Sequence, residues 1–213
     1  MKSKYNTFID FFLLQKDFYS KLTDKSLWLY IGIVFVGLRD VIFYILNPQN
    51  PKGFFITNLS FDLKTASILL ITALLIGFID VLCFSYPVFD VIKHFKKKSE
   101  RYNASVVNTY SSLITKVMKV YILANIILTP MDIIIYFSSR WTLSTDSMIL
   151  LFITTVMGIL SYFWFNGVIT RGLCMLFRLS NNVRGLVFVL VFFWNALISS
   201  AIQYLLSLVI MRL

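Results

Sequence analysis

Histidine and glutamate occur once each in the 213 residues, as His94 and Glu100, and cysteine only twice. That scarcity excludes most site chemistry. Nucleophile–histidine–acid catalysis, zinc sites and intramembrane metalloproteases need histidines and carboxylates at defined spacing, and His94 sits inside a lysine cluster instead. No glycine-rich phosphate loop and no paired-carboxylate motif occurs. The chain is therefore expected to be no enzyme, with no catalytic residue, cofactor or metal. Cys83 and Cys174 lack metal-ligand spacing and read as small apolar side chains, not as a disulfide. Charge is scarce too. It falls on 14% of the residues, against about 25% in a soluble domain.

What the chain does have is long apolar runs, with 58% hydrophobic residues and a mean hydropathy of +0.79. Runs of that length predict an all-α, polytopic membrane protein. The net charge of +10 would suggest nucleic acid in a soluble protein. Here the cations gather in connections between apolar runs, so no nucleic-acid partner is expected.

The densest of these clusters, Val91 to Arg101, carries five cations and is expected to be a cytoplasmic loop. Spans are predicted at about 27–46, 65–86, 117–137, 148–170 and 186–211, together a transmembrane domain over 27–213. Pro87 is placed near the exit of the second span. Pro130, inside the third, should bend that helix or free a carbonyl. Residues 99–112 and 138–147 read as connections, and Arg171 to Leu179 as a short helix in the interface.

With the amino terminus inside, fifteen cations fall on cytoplasmic segments and four on the opposite side. The positive-inside rule then predicts a multi-pass plasma-membrane protein with a cytoplasmic amino terminus and an external carboxyl terminus. Residues 1–26 are too charged to span. Phe8, Phe11, Phe12, Phe18, Tyr19 and Leu22 recur at helical spacing, so an amphipathic helix in the interface is expected over 6–22, its lysines meeting anionic headgroups.

The candidate polar site lies inside the spans. Ionisable side chains there are costly and usually face a bundle interior or a wet cavity, which singles out Arg39, Asp40, Asp80 and Asp132. Counted from the cytoplasmic ends of the predicted spans, Arg39 lies about 18 Å deep and Asp132 about 22 Å, whereas Asp80 is only about 10 Å in. Arg39 and Asp132 are thus the expected partners. Asp40 should point about 100° away from Arg39 and pair with it poorly. A second polar set comprises Thr155, Gly158, Tyr162 and Asn166 on the fourth span, with Asn195, Ser199 and Gln203 on the fifth. Such stripes either join helices by hydrogen bonds or line a ligand site.

The order of elements, the Thr129-Pro130 step in the third span and the run Leu179-Ser180-Asn181-Asn182-Val183-Arg184-Gly185-Leu186 resemble the bacterial branch of the Yip1 family. The D-L-Y-G-P run of the eukaryotic relatives is absent. The resemblance implies a polytopic membrane protein without a transferable catalytic residue. The features point first to a non-enzymatic scaffold or accessory subunit, whose partner is another membrane protein or a second copy of the chain. The alternative is a small-solute permease, which would require a polar cavity near the midplane.

Overall fold

The computed structural model describes residues 19, 22, 27–47, 63–99 and 110–210. Five helices account for nearly all of them: α1 Leu27–Leu46, α2 Leu63–Ser99, α3 Tyr110–Thr145, α4 Met148–Leu176 and α5 Asn181–Ile210. Each is long and apolar enough to cross a membrane. The chain is a multi-pass helical membrane protein.

The bundle turns large apolar side chains outward and holds its buried polar groups within a mostly apolar interior. Large side chains such as Leu70, Phe78, Phe152 and Phe193 are exposed, while Asp80, Asn125, Ser161 and Asn195 are buried. In lipid this is the economical arrangement, because hydrocarbon solvates the outward apolar faces and polar groups find partners only inside. Helix α1 packs on α2 and α3, α4 on α3 and α5, and α2 on both α3 and α5. The α1–α2 contact is close enough that a Cβ on Gly37 would fall on the Ala73 carbonyl and the Gly77 amide. One on Gly77 would fall on the Ile33 carbonyl.

Helix bounds differ from the sequence expectations wherever a polar run follows an apolar one. The first span matches α1 at both ends. The basic run, expected as a loop, continues α2 as helix as far as Ser99. Helix α3 absorbs Tyr110 to Lys116 and most of the expected 138–147 connection, and ends only at Asp146 and Ser147. The expected interfacial helix from Arg171 is instead the last part of α4. That helix closes with Arg178 in the left-handed region (φ 51). There the Leu179 amide bonds the Cys174 carbonyl at 3.0 Å and the Arg178 amide bonds Met175 at 3.4 Å. These two bonds satisfy carbonyls that a helix end leaves open. The reason for the differences is common to all of them. Hydropathy records where lipid contact stops, and lysine, serine and threonine extend a helix into water without breaking it.

Neither internal proline ends its helix. Pro87 has no N–H for the Cys83 carbonyl, and the Trp194 indole N–H of α5 donates to that oxygen instead, at 3.1 Å. Pro130 likewise lies within a continuous α3.

Of residues 1–26 only Tyr19 and Leu22 are described, and both pack on the bundle. Tyr19 is 1% exposed. Its ring lies against Val120 and the bare face of Gly172, and its hydroxyl donates to the Val168 carbonyl at 3.2 Å. Burial pushes its phenol up to about 12, against the pull of the Arg171 cation, so it stays a donor. Tyr19 therefore seats between α3 and α4 instead of joining a lipid-facing stripe. The remainder of the expected interfacial helix lies outside the described residues.

Candidate functional site

The helix halves that hold the C-terminal parts of α1, α3 and α5 do not close on one another. They enclose a cavity of about 710 Å³, whose wall includes Arg39, Asp40, Asp80 and Asp132. All four charged residues singled out within the spans thus face one space.

Arg39 is the hub. Its Nε and Nη2 both donate to Asp132 Oδ2, at 3.1 and 2.5 Å. Its Nη1 donates to Asn125 Oδ1 at 2.5 Å and reaches Asp40 Oδ1 at 3.4 Å. The expected Arg39–Asp132 pair is present. Asp40 is the poor partner expected of an adjacent helix position, reached by the guanidinium only in the longest of the four contacts. Asn125 is fixed in turn, its Nδ2 donating to the Tyr121 carbonyl at 3.0 Å.

Asp80 belongs to the same level, contrary to the shallow placement expected from the sequence. That depth was counted from Tyr86. Helix α2 continues past Tyr86 to Ser99, so Tyr86 is no helix end, and Asp80 shares the cavity wall with Arg39 and Asp132. Its carboxylate is buried and accepts the Tyr121 hydroxyl on both oxygens, at 2.9 and 3.1 Å. Tyr121 is clamped by stacking on Phe84, with centroids 4.1 Å apart, and by an edge contact with Phe165.

The other polar candidates divide. Gly158 and Tyr162 of α4 and Asn195, Ser199 and Gln203 of α5 line the cavity. Asn166 does not. It is buried one turn further along and donates Nδ2 to the Tyr162 carbonyl at 2.8 Å, so it serves its own helix. Thr155 also turns back, onto Leu151. Tyr162 joins α4 to α5 by donating to the Phe192 carbonyl at 3.0 Å.

Tyr121, Asn125 and Ser161 were not anticipated. The first two had a readable signal, for they share one helical face with Asp132 on α3. Ser161 had none. It is 4% exposed and lines the cavity. The hydroxyls of Thr129 and Ser139 bond the carbonyls four residues back, at 2.8 Å each. No partner among the described residues takes the Ser161 hydroxyl. Among the described residues no three His, Cys, Asp or Glu side chains converge as a metal set.

No family model matches the chain, and neither a curated protein nor a solved structure matches it.

Proposed function

We propose that the protein is the membrane component of a small-solute permease, binding its solute in the cavity between the five helices. The observation that carries this reading is the cavity itself. A scaffold gains by packing buried charges tightly against their partners, whereas here Arg39, Asp40, Asp80 and Asp132 border an open space of about 710 Å³. Ligand sites commonly have such a volume, about 300–1,000 Å³, with a few placed polar groups. Intramembrane ionisable groups facing a cavity are the usual mark of a solute pathway.

On the charge asymmetry of the connections we place the protein in the plasma membrane, its basic α2 terminus in the cytoplasm and the cavity in the outward half. On its spans and the Thr129-Pro130 step we group it with the bacterial Yip1-like membrane proteins, and we assign it no catalytic role.

Water access tests the reading. In a background lacking Cys83 and Cys174, Ser161→Cys in lipid nanodiscs is expected to react readily with a water-soluble maleimide. The lipid-facing control Phe152→Cys should stay unreactive. Equal, slow reaction at both positions would mean a packed interior and would overturn the proposal.

A further inference from the structure

Four of the five N–H groups of Arg39 are engaged, those of Nε and Nη2 by Asp132 and those of Nη1 by Asn125 and Asp40, and Asp132 already neutralises the cavity's cation.

The carboxylates are in the opposite position. Three of them, Asp40, Asp80 and Asp132, face the cavity with the single guanidinium. Asp80 is 4% exposed, and its partner among the described residues is a neutral hydroxyl, that of Tyr121. The Arg39 cation acts on Asp80 only through space, its N–H groups being turned to Asp132, Asn125 and Asp40, so a positively charged occupant relieves the cost of the buried carboxylate. Independently, Ser161, as a residue 4% exposed, borders the same space with no hydrogen-bond partner among the described residues, on the wall that also holds the buried Asn195. Tyr44, Tyr121, Tyr136 and Tyr162 are among the lining residues, with Phe84 stacked on the Tyr121 ring and Arg140 over that of Tyr136. Aromatic rings in such a wall suit organic ammonium groups.

We infer that the cavity takes a small organic ammonium ion, with Asp80 as its counter-ion and Ser161 and Asn195 as its uncharged contacts. This rests on the permease reading and names the class of its solute. Hydrogen bonding from Tyr121 keeps the Asp80 carboxylate oriented, so that the ammonium replaces bulk water around an acceptor already in place. The Arg39–Asp132 pair sets the wall and takes no part in binding.

The test uses the full chain in lipid nanodiscs, with propylammonium chloride, sodium propionate and 1-propanol as probes at matched ionic strength. A ligand that binds the folded state raises the unfolding midpoint as its concentration rises. Propylammonium alone is expected to do so. Asp80→Asn should abolish the shift, whereas Asp90→Asn, on the same helix but off the cavity wall, should keep it. Two results would overturn the inference: no midpoint shift with propylammonium, or a shift that survives Asp80→Asn. A shift with propionate instead would replace the cation by an anion and leave the permease reading standing. If no probe acts, the reactivity of Ser161→Cys decides separately whether the cavity reading falls too.

Discussion

The Trp194 indole donates to the Cys83 carbonyl, the oxygen that Pro87 deprives of its helical donor. A proline that would otherwise leave an open acceptor in α2 thereby becomes a fastening point for α5. Loss of the indole N–H in Trp194→Phe is expected to destabilise the protein by about 1 kcal/mol, the usual size of an interhelical hydrogen bond in a membrane. Pro87→Ala restores an N–H within α2, so in that background Trp194→Phe should cost clearly less. Detergent unfolding of the four proteins checks this, and strictly additive costs would disconnect the two residues.

A second cycle addresses Arg39 and Asp132, whose side chains are 16% and 22% exposed. Removing one member leaves its partner's charge in a poor solvent, at about 3–5 kcal/mol. Arg39→Leu with Asp132→Leu is expected to cost less than the two single changes together. Asn125→Leu should weaken the protein less than Asp132→Leu, because it removes a neutral acceptor from the guanidinium rather than its charge partner. Equal costs for these two would show that charge does not dominate the hub.

Two glycines should respond in opposite ways. A Cβ at Gly37 meets backbone atoms of Ala73 and Gly77, which can move only by separating α1 from α2. Gly37→Ala is therefore expected to be strongly destabilising. A Cβ at Gly158 meets nothing, since it projects into open space beside the cavity. Gly158→Ala should be neutral or stabilising, by up to about 1 kcal/mol, from helix propensity alone. Unfolding midpoints of the two variants decide, and a loss at Gly158 would mean that the space is filled.

Spans were legible because lipid imposes a long apolar run on each of them, and α1 could be bounded to the residue where Thr23 to Ser26 and Asn47-Pro48 flank it. Helix ends were not legible elsewhere. Lys93, Lys116 and Arg171 are compatible with helix and with water alike, so nothing in the pattern marks where α2, α3 and α4 stop. That one ambiguity also bears on Asp80, whose expected depth rests on Tyr86 as an end although α2 continues to Ser99. The Arg39–Asp132 pair could be read from two charges at similar depth. Its third member, Asn125, is neutral, so a search for ionisable residues passed over it. Asn166 misled for the converse reason, since a stripe of polar residues on a helix does not say which members reach past their own carbonyls. The unbonded hydroxyl of Ser161 is a property of packing, invisible before the helices are placed.

The central claim, that the cavity carries a solute across the membrane, is tested most directly by the sidedness of access to it. Ser161→Cys, without Cys83 and Cys174, would be reconstituted in one orientation and exposed to an impermeant maleimide added outside or trapped inside. The account predicts labelling from either side, slowed strongly in both cases by Gly158→Trp, whose ring would occupy the open space beside it. Labelling from neither side, at the rate of the lipid-facing Phe152→Cys, would contradict the cavity, and labelling from one side only would contradict transport.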